Sequence, residues 1–311
     1  MLIILTNISS IFIYILVGFI ANKTKLLPDE ANKHLVSLLL HITAPCLVMA
    51  SIVSKEISEK TYVETSQTLV FSLAFFIVVS ILALLLLKPI KNCPDRNILL
   101  VVITSVNSAF IGFPIAKAVF SDDIFYLVVI ANVMLNIYLF SICIWQLNYG
   151  DERKITIKSI FKPLLNILSI VTFISVFMLF ANIKLPDYPF QIIETLGDAT
   201  IPLSMIVVGV QLGSSDFRGV FRNYQLIYAS LCNVLLIPAL TLLVMYNMPV
   251  SDNVKLAITL SSIFPCAVLT VALAHREGKN TNLIAEGVAL TTLFTMVTIP
   301  AWLIVLVKLF T

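Results

Sequence analysis

Apolar residues in this chain do not alternate with polar ones. They run on for about 20 residues at a time, the length a helix needs to cross the hydrocarbon core of a bilayer. Ten such runs predict helices over 2–21, 31–53, 64–87, 98–119, 124–148, 161–182, 190–213, 223–246, 253–274 and 281–308. The connections are short, so no soluble domain is inserted. Polar residues and prolines interrupt a few of the runs. The fourth contains Asn107-Ser-Ala-Phe-Ile-Gly-Phe-Pro-Ile-Ala-Lys117. Proline lacks an amide hydrogen and its ring strikes the preceding turn, while Gly112 needs no Cβ clearance, so the stretch Gly112-Phe-Pro114 predicts a helix break at membrane depth. Opened backbone is tolerated there only where protein or a watered cavity satisfies it.

The connection over 149–158 is the most polar and divides the chain into a first set of five spans (1–148), a linker (149–160) and a second set (161–311). Five is odd, so two such sets are inserted with opposite orientation. Proline placement agrees with duplication: Pro45 and Pro114 lie in the second and fourth spans, Pro202 and Pro265 in the seventh and ninth. An inverted five-helix repeat with matching broken helices predicts an all-α secondary transporter whose site lies between the breaks, near the midplane. Half-helix N-termini meeting there would present amides and positive dipole ends to an anion.

Composition narrows the classes further. Of 311 residues, 59% are hydrophobic and 12% charged, and the mean hydropathy is +1.02, which excludes a soluble globular protein. The net charge of +3 is spread over loops and gives nucleic acid no basic face. Of the 20 Lys and Arg, 14 fall in the odd-numbered connections and 6 in the even ones and the C-terminal end. The odd connections are therefore expected in the cytoplasm and both termini outside. The first run has no positive flank before it, with Lys23 and Lys25 following, so it is expected to be a retained helix and not a cleaved signal. Five cysteines are scattered singly, which suggests packing and neither a disulfide framework, a metal site nor a cofactor.

Candidate chemistry is sparse. Asn107 lies two turns before Pro114 on nearly the same face, and an uncharged amide can donate to a carboxylate without carrying charge into lipid. The alternative is an interhelical hydrogen bond. Asn132 and Asn136, four apart, share a face of the fifth span with Ser141 further on, as a polar cavity wall or as packing contacts. Ser261 and Ser262 precede Pro265 and either serve a site or repair the kink. Three ionisable residues lie at depth, His41, Asp198 and Glu286, and any of them could carry a coupling proton, or pair or snorkel instead. Lys117 either draws an anion inward or marks the outer boundary.

These residues resemble the auxin efflux carrier family, whose members include bacterial organic-acid permeases and the plant PIN carriers. The likeness spans the chain and is most specific in the 107–117 stretch, in Ile201-Pro-Leu-Ser-Met-Ile-Val-Val-Gly-Val-Gln-Leu212, and in the last two spans from Phe264-Pro265 to Ile299-Pro300. The plant carriers share the asparagine, the Gly-x-Pro and the lysine, matched here by Asn107, Gly112, Pro114 and Lys117. The resemblance implies ten helices in two inverted repeats, crossing helices four and nine, a transport domain moving elevator-fashion against a scaffold, a homodimer and an organic anion as substrate. The long plant loop is absent, and Asn132 stands where those carriers have glutamine. The length favours a small carboxylate such as malate or malonate over a plant hormone.

Three other classes compete. A cation/proton antiporter of crossed-helix build would carry an aspartate in the fifth span, and 126–146 holds no carboxylate. A bile-acid-type sodium symporter would use serines and carbonyls at the crossing. An intramembrane hydrolase needs a Ser/His pair or facing aspartates; no Gly-x-Ser-x-Gly occurs, and an enzyme is not expected.

Overall fold

The computed structural model describes residues 2–90, 93–150, 166–215 and 220–310, which form helices and their connections with no strand among them. In chain order the helices are α1 (Leu2–Lys23), α2 (Glu30–Val53), α3 (Glu59–Leu86), α4a (Arg96–Thr104), α4b (Phe113–Val119), α5 (Asp122–Leu147), α6 (Ile167–Phe180), α7 (Asp187–Ser214), α8 (Tyr224–Tyr246), α9a (Asp252–Ser262), α9b (Leu269–Arg276) and α10 (Thr281–Phe310). Seven helical stretches among the described residues are long and apolar enough to cross a membrane: α2, α3, the whole of α4, α5, α7, α8 and α10. Most of the predicted linker, and residues 161–165 of the predicted sixth span, lie outside the described residues.

The ends are set by local chemistry. Ser58 caps α3 by accepting the Thr61 amide at 3.1 Å, Asn166 caps α6 through the Ser169 amide at 2.9 Å, and Ser251 caps α9a through Val254. Each side-chain oxygen satisfies an amide that has no intrahelical acceptor.

Packing sorts the helices into two groups. In one, α1 lies along the second half of α7, while α6 and the first part of α7 pack on the second half of α2. The α1–α7 seam is close because glycines face backbone. A Cβ on Gly209 would stand 2.0 Å from the Ile15 carbonyl oxygen, and one on Gly18 would stand 2.1 Å from that of Ile206. Small residues that let backbones approach are the usual adhesive between helices in lipid, where the hydrophobic effect offers no drive for association. In the other group, α5 packs on α3 and α9a, and α8 packs on α4a, α9a and α10. The α4 stretch runs through the middle and is almost wholly buried, which makes it the axis on which the site is built.

Three of the prolines inside the helices are handled by one device. A π-helical turn ends two residues before each of three prolines: Leu39–Thr43 before Pro45, Ser108–Gly112 before Pro114, and Cys232–Leu236 before Pro238. In each, an amide reaches back five residues, as from Phe113 to the Ser108 carbonyl. The wider turn opens the place where the proline ring would strike a carbonyl, so the helix passes through proline without ending.

Candidate functional site at the crossing of α4 and α9

The break in α4 is not at Gly112-Phe113-Pro114, as the sequence suggests. Those residues lie within continuous helix, because the π turn over Ser108–Gly112 absorbs Pro114. The chain unwinds instead over 105–107, where Ser105 is extended. In α9 the break falls at the proline, over 263–268 around Phe264-Pro265. The two unwound stretches touch: the Asn107 amide donates to the Pro265 carbonyl at 2.7 Å, and the Ala267 amide donates to Ser105 Oγ at 3.4 Å. Gly112 serves this crossing by close approach, since a Cβ there would meet the Phe264 ring at 2.5 Å.

Buried unwound backbone needs partners, and residues that the sequence pattern did not single out supply them. Asn233, in the π turn of α8, donates from Nδ2 to the carbonyls of Ile103 and Ser105, each at 3.1 Å. Thr291 of α10 accepts the Cys266 amide at 3.2 Å. Next to the crossing, Thr104, Tyr138 and Gln146 bond to one another in a fully buried cluster. The signal that could have found Asn233 is the one that found Asn107, an amide inside an apolar run shortly before a proline. An Asn233→Leu variant leaves two carbonyls buried without a donor and is expected to lose about 2 kcal/mol or more of stability. A lowered thermal midpoint of the purified protein checks this.

On one side of the crossing is a cavity of about 330 Å³, in the range of small-molecule sites. Its polar lining comprises Asn107, Ser108, Asn132, Asn136, Asn166 and His41, and Val106, Leu135, Phe140, Val268 and Leu269 contribute to its apolar walls. The first residues of the π-to-α4b helix and of α9b border it, so two helix N-termini lie beside the same space. Asn107 has two roles here. Its Oδ1 accepts the Phe110 amide at 3.3 Å and caps the helix. Its Nδ2 is buried and has no hydrogen-bond partner. An unused buried donor costs about 1–3 kcal/mol.

The predicted site residues thus divide. Asn107, Asn132, Asn136 and His41 line one cavity. Gly112 and Pro265 build the crossing, and Pro114 is buried at the start of α4b, away from the cavity wall. The Ser262 hydroxyl donates to the Thr259 carbonyl at 2.6 Å and that of Ser261 to Ala257 at 2.8 Å; both repair the end of α9a. Lys117 pairs with Asp122 at 2.6 Å, where α4b turns into α5. Asp198 is exposed at the turn within α7, and Glu286 is half-buried near the start of α10; neither reaches the cavity. A carboxylate the sequence pattern passed over, Glu64, is buried and accepts Ser251 Oγ at 2.8 Å and Asn253 Nδ2 at 3.3 Å, fastening α3 to the start of α9a.

A bundle of apolar helices in which two are unwound and cross beside a mostly apolar cavity with a few polar side chains is the arrangement of a membrane transport protein. The chain belongs to the auxin efflux carrier family: the family model described as membrane transport protein matches residues 3–154 and 152–303. It is similar to an uncharacterized transporter of Methanocaldococcus jannaschii, 26% identical over 94% of this chain and 95% of that protein. An uncharacterized transporter of Methanothermobacter thermautotrophicus is 21% identical over 96% and 97% of the two chains. The chain is a multi-pass membrane protein of a transporter family.

Proposed function

We propose that this protein is a secondary carrier for a small organic carboxylate, bound in the cavity at the α4–α9 crossing. The observation that carries this reading is the unpartnered, buried Nδ2 of Asn107 at a cavity wall bordered by two helix N-termini. Donors and positive dipole ends converge there, and no acidic side chain lines the cavity among the described residues. An anion completes such a site; a cation would be repelled by it.

The architecture behind this reading is ten spans in two inverted halves. Two facts support it: the unwound stretches of α4 and α9 pair with each other, and the two segments matched by the family model meet within the predicted linker. An elevator-type cycle fits the packing, because the cavity has α2 and α6 on one side and α4, α5 and α9 on the other, a wall from each helix group. On the charge-derived topology the cavity occupies the cytoplasmic half, so this conformation is inward-facing.

Lys55, just past α2, pairs with Asp123 at the start of α5 and so ties the two groups together. Sliding of one group against the other would break the pair. An Asp123→Asn variant is therefore expected to shift the balance away from this conformation by up to about fivefold, the effect of a partly exposed pair worth up to about 1 kcal/mol. Spin-label distances between α2 and α5 check this.

The test of function is exchange of labelled malate, malonate or lactate in liposomes holding the purified protein, with and without sodium. Saturable exchange above protein-free liposomes is expected for at least one of the three. If none is exchanged while a neutral or cationic solute is, the carboxylate reading is wrong.

A further inference from the structure

One face of α3 changes character along its length. Lys60, Glu64 and Gln67 occupy it near the start of the helix, and Phe71, Phe75, Val78 and Leu82 continue it at the same spacing of three and four residues. The facing helix, α8, changes in the same sense: Ile237, Leu240, Val244 and Met248 are followed at its end by Pro249, Val250 and Ser251. Both helices pack on α9a, and between them runs an apolar groove of about 220 Å³ with Ile258 of α9a in its lining. One turn beyond Phe71, Gln67 opens a polar recess lined also by Glu59, Lys60, Glu64 and Ser251. The polar ends of the two stripes therefore coincide.

The dimensions are those of one leaflet. From Phe71 to Leu82 the helix rises about 16 Å at 1.5 Å per residue, and a leaflet supplies about half of a hydrocarbon core roughly 30 Å thick. A neighbouring helix that crossed the bilayer would need an apolar face about twice as long. In the recess, Lys60 is exposed and Glu64 is buried. Glu64 accepts Ser251 Oγ and Asn253 Nδ2 through Oε1, and Lys60 Nζ lies 3.9 Å from the same oxygen. Among the described residues Oε2 accepts no hydrogen bond.

We propose that groove and recess together bind one phospholipid with a headgroup of the ethanolamine type. An acyl chain lies along the groove, the headgroup ammonium donates to Glu64 Oε2, and the phosphate faces Lys60 Nζ. Two carboxylates beside a single lysine disfavour a headgroup of net negative charge, and a quaternary ammonium has no hydrogen to donate. On the charge-derived topology the lipid belongs to the outer leaflet, and it is held whichever solute the protein carries. Its chain fills the gap between α3 and α8. It thereby steadies α8, whose π turn holds Asn233 against the carbonyls of Ile103 and Ser105, so the lipid stabilises the α4–α9 crossing.

The test uses the protein purified in detergent, stripped of lipid and titrated with dioleoyl phosphatidylethanolamine, phosphatidylcholine or phosphatidylglycerol. Native mass spectrometry reads the fraction carrying a lipid, and a melting curve reads the midpoint. The parent is expected to bind the ethanolamine lipid about fivefold more tightly than either of the others, with a rise in midpoint. Ala74→Trp and Val244→Trp place a ring in the groove from its two walls; both positions are exposed, so each variant should match the lipid-free parent's midpoint and lose the rise. Glu64→Gln keeps an oxygen for Ser251 and Asn253 and should bind the ethanolamine and choline lipids equally. Equal binding of all three lipids by the parent, or a preference for the glycerol lipid, overturns the headgroup assignment. Binding that survives both groove-filling substitutions places the lipid elsewhere and overturns the site. If those substitutions instead convert a dimer to a monomer without changing lipid binding, the groove holds a second copy of this chain and the inference falls.

Discussion

Replacing Asn107 by aspartate is expected to abolish carboxylate binding while keeping the cap on the Phe110 amide. The two halves of this side chain do different jobs. The Oδ1 that caps the Phe110 amide has an equivalent in aspartate, which is as good an N-cap as asparagine and adds a favourable charge at a helix N-terminus. The Nδ2 has no equivalent. Substituting it removes a charge-assisted donor worth roughly 1.5–3 kcal/mol to a bound carboxylate and puts a second negative charge in its place. The first loss alone weakens binding by about ten- to a hundredfold, since each 1.4 kcal/mol is tenfold, and repulsion deepens it. Asn107→Ala should lose binding as well, but also the cap, at a further cost of about 1 kcal/mol in stability. Affinity and thermal midpoint measured on both variants separate the roles. Unchanged affinity in Asn107→Asp would mean that the unpartnered donor does not touch the substrate.

The largest loss of stability is expected from Gly209→Leu. The new Cβ would fall 2.0 Å from the Ile15 carbonyl oxygen and 2.7 Å from the Phe19 amide nitrogen. Those are backbone atoms of α1 and cannot rotate aside, so the whole seam between α1 and α7 must separate. Overpacking of this kind costs about 3 kcal/mol or more, and in lipid the separated helices regain little from burial elsewhere. The α4b helix packs on both α1 and α7, so the damage should reach the crossing. Loss of monodisperse protein, or a large fall in its thermal midpoint, is the expected result. Gly213→Ala is a milder control, because the three atoms nearest its Cβ would belong to the side chain of Asn22. A Gly209→Leu protein with the parent's midpoint would show that the seam opens freely.

Among the described residues, runs of apolar residues place most helix ends to within about three positions, because hydrocarbon-crossing length is a property of the local sequence alone; the start of α3, at Glu59, lies further from its predicted place at 64, and residues 161–165 of the predicted sixth span lie outside the described residues. The α9 break was legible for the same reason: Pro265 sits in it. The α4 break was misplaced because a proline reports a problem for the helix and not its solution. The π turn before Pro114 solves it locally, while 105–107 unwinds because a second unwound stretch bonds to it from 160 residues away in sequence. That pairing is tertiary and leaves no local trace. Asn107, Asn132, Asn136 and His41 were legible as polar residues in apolar runs, and the structure brings them to one cavity. Asp198, Glu286, Lys117 and Ser262 had the same sequence signature but lie off that cavity. What separates the two sets is which helix face each occupies, and a run that is hydrophobic all round does not announce its faces. Asn233 carries the same local signal as Asn107, an amide shortly before a proline, but the two carbonyls it serves are freed only by tertiary pairing; Glu64 has no such signal, because its partner, the start of α9a, is brought to it only when the bundle assembles.

The proposed function requires that an organic anion bind at the crossing of α4 and α9. An electron cryomicroscopy structure with a transported carboxylate tests it most directly. The predicted result is a carboxylate group within hydrogen-bonding distance of Asn107 Nδ2, between the start of the α4b helix and the start of α9b, with Asn132 on the same wall. A carboxylate found instead in the apolar groove between α3 and α8, which is lined by Phe75, Val79, Leu240 and Val244, with the crossing cavity empty, would contradict it.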